Sequence, residues 1–532
     1  MPWSSQRTAL FCFYCLIRHG ILHRMIKDMI PLDKILKERA ALNPRRTFVK
    51  FKGGKYSFRE MDRLADVFSS FLTKRGMRSG DRVAILSHNC ALYIASYFGI
   101  IRSGAVVLPL NNLLTHEELD YILSDAGARL CFYDLDCRGT VDRLVKKGDR
   151  TFVMLSEVAA SSDVAAAIPS AHTVDDISTI LYTSGTTGRP KGALLTHRNF
   201  ITNARAATDI IHVTNKDRLI VFLPLFHSFT YTVCVILPLL VGARIAILPS
   251  VRPFSQVVKS LIIDRITILV AIPTVYKILA EKDMPRLVKF LLNLRLCVSG
   301  AAPLPVNVVH NFERAFKVPL LQGYGLTEAS PIVSINPLEP GRNKPGTVGL
   351  PLPGLEVKVI DDEGNTLSPD IPGELAVKGP SVMQGYLNRP EETAQTIKDG
   401  WLHTGDIASI DGEGYIKIID RKKDMIIVDG LNVYPYEVEE VLCRHPAIKD
   451  CAMIGVAHEH DEGKELAIMY IVQQDGHSIT PKALREYLSE YVAHYKIPRR
   501  FIMVQDLPRT ATGKILKREI REMYKEKNRP VS

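Results

Sequence analysis

Short apolar runs rich in β-branched residues alternate with helical patterns through most of this chain, and that alternation narrows its fold most. RVAILS (82–87) is followed by ALYIASYFGIIRSG, then AVVLPL (105–110), then the amphipathic HEELDYILSDAG. Farther on come ITILVAI (266–272) and LRLCVSG (294–300). Alternation of this kind builds mainly parallel sheets with helices on both faces, so an α/β class is expected. The one long apolar region, LIVFLPLFHSFTYTVCVILPLLVGARIAIL (219–248), is interrupted by Pro224, His227, Pro238 and Arg244. Its uninterrupted pieces are shorter than the roughly 20 residues a membrane span needs, and it reads as buried strand–helix–strand.

At 532 residues the chain is too long for one core. Beyond Gly346 the texture changes to short strands with Gly and Asp turns (VGLPLPGLEVKVIDDEG, GELAVKG, GYIKIIDRKKDMIIV), as in a small β-rich subdomain. After about residue 420 an α+β unit follows, with YPYEVEEVLCRH and PKALREYLSEYVAHY as helices and IKDCAMIGVAH and ELAIMYIV as strands. The expected boundary is Asp420–Arg421, giving a large N-terminal domain at 29–419 and a small C-terminal domain at 420–532. Residues 1–28 read as an extension or disordered segment. Their apolar TALFCFYCLI (8–17) cannot span a bilayer, no small-residue cleavage site follows it, and Met25 or Met29 suits as the natural start.

A content of 46% hydrophobic and 23% charged residues describes a soluble globular chain. The net charge of +11 favours polyanionic ligands or an anionic membrane surface. The basic residues lack interleaved aromatics or a recognised module, so nucleic acid is not an expected partner. Nine scattered cysteines fit a reducing cytoplasm, and the one CxxC, Cys12–Cys15, lacks the partners of a zinc site.

Between Tyr182 and Gly192 the chain reads YTSGTTGRPKG. The Walker A spacing fails, because Pro190 stands where a loop starting at Gly185 needs Gly, and Ala193 where one starting at Gly188 does. The ingredients of an anion cradle remain: Gly185 and Gly188, hydroxyls on Thr183, Ser184, Thr186 and Thr187, and the cation Lys191. Taken singly, other motifs are ambiguous. Gly300-Ala301-Ala302 closes one strand and GYGLTE (323–328) another; Glu328 could hold a divalent cation or be a surface carboxylate. Asp406, ending GWLHTGD, could chelate a ribose diol or cap a turn.

Their order is decisive. YTSGTTGRPKG, SGAAPL, GYGLTE, GWLHTGD, IIDRKKDMIIVDGLNVYP and PRTATGKILKRE, taken in sequence, closely resemble the adenylate-forming superfamily over roughly residues 30–525. LPLFHSFTYTVCVILPLLVGA, TEASP and RKKDMIIVDGLNVYPYEVE look most like its AMP-forming fatty-acyl-CoA synthetases. The resemblance implies that the loop from Thr183 through Arg189 and Pro190 to Lys191 grips the β- and γ-phosphates of ATP. Gly300, Ala301 and Ala302, with Gly323, Tyr324 and Gly325, would enclose adenine, Tyr324 stacking on it. Thr327 would touch the α-phosphate, Glu328 the Mg²⁺, and Asp406 the ribose, assisted by Arg421. Lys514 would bridge the substrate carboxylate and the α-phosphate. The C-terminal domain would then swing about Asp420, withdrawing Lys514, while Gly430 lets the pantetheine of coenzyme A pass. His227 is either a core histidine or a gate on the acyl path.

The implied reaction joins a medium- or long-chain fatty acid to CoA through an acyl-adenylate. Gly300, Ala301 and Ala302 are small enough to leave room for a chain. Competing readings are an enzyme that loads a separate carrier protein, an aryl or short-chain acid ligase, a luciferase-like monooxygenase and a non-catalytic nucleotide binder. DEGKELA after GVAHEH departs from the relatives' Arg-Gly-Glu turn, which bears on contacts to the nucleotide end of CoA. A greasy substrate and positive charge suit peripheral contact with an anionic membrane, and a homodimer is compatible with this reading.

Overall fold

The computed structural model describes residues 29–145, 150–161, 171–183, 189–281, 286–428, 431–457, 465–510 and 513–527. The chain forms two compact units, Met1–Val357 with Val377–Leu402, and Lys358–Ala376 with His403–Ser532.

The α/β expectation holds in the first unit, which contains two large sheets. One has seven strands in the order Gly385–Tyr386, Lys191–Thr196, Ile177–Thr183, Val106–Pro109, Arg82–Leu86, Leu130–Tyr133, Thr151–Met154. The five from Ile177–Thr183 onward run parallel. Alternate residues point to opposite faces of a strand. Ala84, Leu86, Leu108 and Cys131 accordingly pack under Leu119, Ile122 and Leu123 of the helix His116–Asp125. The opposite face receives Phe132, whose ring meets Phe68 edge-on at 5.2 Å.

ALYIASYFGIIRSG forms the helix Ala91–Arg102, buried along its whole length. A helix apolar all round belongs inside a protein rather than on its surface. It lies against Phe58–Lys74, a helix started by a capping box in which Ser57 and Glu60 satisfy each other's backbone amides. The contact is closest at Gly99, where a Cβ would run into the Phe68 side chain and the Ala65 carbonyl.

The second sheet has nine strands in the order Leu350–Pro351, Ile332–Ile335, Leu320–Gly325, Leu296–Ser299, Ile268–Ala271, Arg218–Val221, Arg244–Ile247, Thr47–Phe51, Gly54–Ser57. It is parallel from Leu320–Gly325 to Thr47–Phe51 and antiparallel at both edges. The apolar region 219–248 is, as expected, internal to this unit. It continues the strand Arg218–Val221, then forms Ser228–Tyr231, a π-helical turn Thr232–Ile236 and Leu237–Val241, and returns as the strand Arg244–Ile247. Among the described residues no helix is long and apolar enough to cross a membrane.

In the second unit, Ile448–Ala457, Glu465–Gln473 and Arg500–Val504 form a three-stranded sheet. Met453, Met469 and Ile471 face Val438, Leu442, Leu484 and Leu488, from the helices Pro435–Leu442 and Pro481–Ser489. Ile454, Ile468 and Tyr470 face Ile520 and Tyr524 of Lys517–Lys527. Cover on both faces explains why ELAIMYIV is apolar at nearly every position.

Candidate active site

In the first unit, the hairpin of Ile177–Thr183 and Lys191–Thr196 sets Thr183 opposite Lys191 at the end where the loop joins the two strands. Of the loop joining them, Ser184, Gly185, Thr186, Thr187 and Gly188 lie outside the described residues. The Thr183 hydroxyl donates to Glu328 Oε1 at 3.4 Å, and the Tyr386 phenol donates to the same oxygen at 2.9 Å. Lys191 Nζ stands 5.5 Å from the centre of the Tyr386 ring and 4.0 Å from Glu392 Oε1. Arg189 packs its guanidinium 5.2 Å from the Tyr121 ring centre, while the Tyr121 hydroxyl donates to the Pro190 carbonyl at 3.4 Å. The structure thus brings Thr183, Lys191 and Glu328 together around Tyr386. Burial, then the Glu328 charge, holds the Tyr386 phenol well above its ordinary range, so it stays a donor.

Buried neighbours fix this arrangement. Asn203 clamps the turn after Glu328: its Nδ2 donates to the Ile332 and Ala329 carbonyls at 2.7 and 3.2 Å, and its Oδ1 accepts from the Ile332 amide. Asn199 caps its own helix, His197–Ile211, and donates to the Pro380 and Val382 carbonyls. That anchors the segment leading to Tyr386, which pairs opposite Ala193 in the seven-stranded sheet. Gly325 cannot carry a side chain, because a Cβ would strike the Pro331 carbonyl.

His227 precedes the short helix Ser228–Tyr231, and its Nδ1 accepts the Phe229 amide at 3.3 Å. This bond assigns the ring proton to Nε2, and burial lowers the imidazole pKa to about 4. His227 is therefore neutral at neutral pH. It borders a cavity of about 10 Å³ together with Tyr97, Thr179, Leu181 and Tyr231, room for about one water. Ser228 Oγ lies 3.3 Å from Thr327 Oγ1, which joins this segment to the Thr327–Glu328 turn. The space at Gly300 is filled by the Phe229 ring, which a Cβ would meet at 2.8 Å. The room expected there for an acyl chain is occupied by an aromatic face. Ala301 next to it takes a left-handed backbone, φ 67°. Tyr324, partly buried, pairs opposite Ser334, and Gly323 opposite Ile335.

In the second unit, strand pairing sets Asp406 opposite Arg421, and Arg421 Nε lies 3.2 Å from the buried Asp406 Oδ1. Lys514 rises from a tight turn closed by the Arg509–Ile515 bridge, and its amide donates to Thr510 Oγ1 at 3.1 Å. Its side chain keeps exposure. Loss of solvent around the ammonium, followed by repulsion from Arg421, nevertheless lowers its pKa to about 8; Asp406 and Asp424 act the other way. Asp406, Arg421 and Lys514 thus form one electrostatic group. Asp420 accepts from the Tyr436 and Arg421 amides, both at 2.7 Å. Gly430 lies outside the described residues.

Sequence reasoning missed Tyr386, Asn203 and Asp424, while Ser228 falls within the candidate pocket segment Phe226–Thr232. A tyrosine in GYLNRP or an asparagine in a helix carries no signal of its own. Only pairing over long separations, such as the 58 residues from Glu328 to Tyr386, gives them a role.

Residues 36–387 match the family model described as AMP-binding enzyme, and residues 437–514 match the AMP-binding enzyme C-terminal domain. The chain is 33% identical to a long-chain-fatty-acid–CoA ligase of Escherichia coli O157:H7, over 88% of this chain and 90% of that one. It is 36% identical to a feruloyl-CoA synthase of Amycolatopsis sp, over 91% and 97%. The crystal structure of ATP-bound MatB from Rhodopseudomonas palustris superposes with a TM-score of 0.86 at 32% identity, covering 94% of this chain and 99% of that one.

Proposed function

The chain belongs to the AMP-binding enzyme family, and on that premise we propose that it joins a medium- or long-chain fatty acid to coenzyme A through an acyl-adenylate. In the first step a carboxylate oxygen attacks the α-phosphorus of ATP, and the bond to pyrophosphate breaks. In the second the CoA thiol attacks the acyl carbonyl, and AMP leaves. The observation that carries this reading is Glu328, held by Thr183 and Tyr386 at the mouth of the phosphate-loop hairpin with Lys191 beside it.

That donor set fits Mg²⁺. Among the described residues both hydrogen bonds to the carboxylate fall on Oε1, and Mg²⁺ takes one or two carboxylates and completes its shell with water and phosphate oxygens. When bound, Mg²⁺ would offset phosphate charge as pyrophosphate departs. Lys191 and the Thr183 hydroxyl orient the leaving phosphates. Thr327 would meet the α-phosphate, and Asp406 would accept from the ribose hydroxyls. Lys514, a compact ammonium, draws the two anions together for in-line attack.

An aryl acid is the second reading. The Phe229 face over Gly300 favours a flat substrate, and the feruloyl-CoA synthase relative is consistent with it.

The test is purified protein with ATP, Mg²⁺ and acids from acetate through palmitate to benzoate and coumarate, with pyrophosphate and acyl-CoA measured with and without CoA. CoA-dependent turnover that peaks at a fatty chain length supports the proposal, and a peak at coumarate moves the substrate to the aryl class. Pyrophosphate without acyl-CoA would point to a carrier protein as acceptor. Silence with every acid would overturn the reading.

A further inference from the structure

Away from the site just described, His88, Asp134 and Cys137 meet at the ends of two neighbouring parallel strands, Arg82–Leu86 and Leu130–Tyr133. Strand pairing brings together residues up to 49 positions apart. His88 Nδ1 lies 3.1 Å from Asp134 Oδ2 and 3.9 Å from Cys137 Sγ, and the three donor atoms all fall within 4.8 Å of one another. We propose that these residues form a binding site for a borderline-soft divalent transition metal of the zinc class.

Distances, donor types and access each support this. Zinc binds imidazole nitrogen and carboxylate oxygen at about 2.0–2.2 Å and thiolate at about 2.3 Å in a tetrahedron. The edges of that tetrahedron are roughly 3.3–3.6 Å, between the two separations observed. A thiolate, an imidazole and a carboxylate together neutralise a divalent charge, and a thiolate–imidazole pair selects zinc over magnesium or calcium. The Cys137 side chain is buried, whereas His88 is 40% exposed and Asp134 18%. The cluster is thus closed on its sulfur side and open to solvent at the imidazole, leaving an entry path and a fourth position for water.

The supporting shell is built. Asp134 accepts the His88 amide at 2.7 Å on Oδ2 and the Cys137 amide at 3.0 Å on Oδ1, and the Ser87 hydroxyl approaches Oδ2 at 3.2 Å. These bonds hold the carboxylate whether or not a cation is present, and such second contacts orient metal ligands. The metal would take the place of the protons on His88 Nδ1 and Cys137 Sγ. The thiol proton passes to solvent, and the ring keeps a single proton on Nε2, the Nδ1 proton moving there from a neutral ring or leaving to solvent from a cationic one.

The site connects to the first unit's interior through the next residue. Asn89 donates to the Leu223 carbonyl at 2.9 Å and accepts the Leu225 amide at 2.8 Å. A cation that rigidifies 87–90 therefore stiffens the stretch two residues ahead of His227.

Cobalt(II) is the spectroscopic probe for the test. The full-length protein is titrated with Co²⁺, with tetrahedral ligand-field bands and a thiolate-to-cobalt charge-transfer band recorded, then displaced by Zn²⁺. One equivalent is expected to bind with both signatures. Cys137→Ser should abolish the charge-transfer band, and His88→Ala, at an exposed position that tolerates truncation, should weaken binding at least 100-fold. Cys12→Ser/Cys15→Ser should retain the full signal, separating this site from the N-terminal CxxC. Zn²⁺ should raise the thermal midpoint of wild type and leave that of His88→Ala unchanged. Cobalt bands that persist in both Cys137→Ser and His88→Ala would overturn the proposal, as would an absence of tetrahedral binding in wild type.

Discussion

At the scale of single residues, Glu328 and Lys514 set opposite electrostatic demands, each tuned by groups the other does not touch. Glu328 keeps its carboxylate directed by two hydroxyl donors. A hydrogen bond to a charged group is worth about 1.5–3 kcal/mol. Tyr386→Phe should therefore lower kcat/KM for adenylation roughly 10- to 100-fold, with the apparent Mg²⁺ requirement rising alongside; steady-state pyrophosphate release at varied Mg²⁺ checks both. Lys514 is governed by protonation. With its pKa lowered to about 8, the side chain is cationic below that pH and neutral above it, so adenylation should fall as pH rises through about 8. Lys514→Arg stays charged to far higher pH and should lose that alkaline limb while retaining a lower, pH-flat rate. His227 contributes no limb near neutrality, because its pKa of about 4 leaves it neutral throughout. Glu328, Asp406 and Lys514 become candidates through the order of their motifs, since taken singly Glu328 reads equally as a surface carboxylate and Asp406 as a turn residue. Tyr386 was not legible, since it acts through a two-residue strand. Although Phe229 lies in the candidate pocket segment Phe226–Thr232, nothing in the sequence shows its ring facing Gly300.

At the scale of elements, local pattern carried most of the information. RVAILS, AVVLPL, ITILVAI and LRLCVSG became the strands Arg82–Leu86, Val106–Pro109, Ile268–Ala271 and Leu296–Ser299, because β-branched runs flanked by helices have one economical arrangement. The order of those strands could not be read, since register depends on contacts across 20 to 80 residues. Helix packing was equally hidden. Nothing in YFGII announces that the glycine is where Ala91–Arg102 touches Phe58–Lys74. Gly99→Ala would place a methyl against Phe68 and the Ala65 carbonyl, and overpacking of this kind costs about 1–3 kcal/mol. The expected result is a lower urea midpoint at an unchanged m-value, with KM for ATP within about twofold of wild type. A stable Gly99→Ala protein would mean that the helix pair relaxes more freely than its close contact implies.

At the scale of the whole molecule, the proposed reaction needs two nucleophiles in turn, and we propose that Asp420, inside the second unit, is the pivot between the two half-reactions. The compact units interleave in sequence, since Lys358–Ala376 belongs with His403–Ser532; a reading along the chain sees changes in texture but not such returns. Asp420 lies two residues beyond Ile418, across a register shift, and pairs with Ile407, so its own backbone belongs to the strand Ile416–Arg421. Its carboxylate meanwhile holds the amides of Arg421 and of Tyr436 in the helix Pro435–Leu442. A residue next to the end of its strand, Ile416–Arg421, whose side chain is tied to the helix Pro435–Leu442 is placed to act as a pivot, because a change in its φ and ψ would redirect everything after it. Asp420→Pro fixes φ near −65° and removes the side-chain acceptor. It should leave adenylation within about tenfold of wild type and slow thioester formation about 100-fold, with acyl-AMP accumulating in single-turnover assays that follow both products. Asp420→Asn, which keeps an acceptor and a free φ, should accumulate little acyl-AMP and separates the loss of rotation from the loss of the carboxylate. Equal slowing of both half-reactions by Asp420→Pro would assign the residue to folding of its own unit, and unimpaired thioester formation would place the pivot elsewhere.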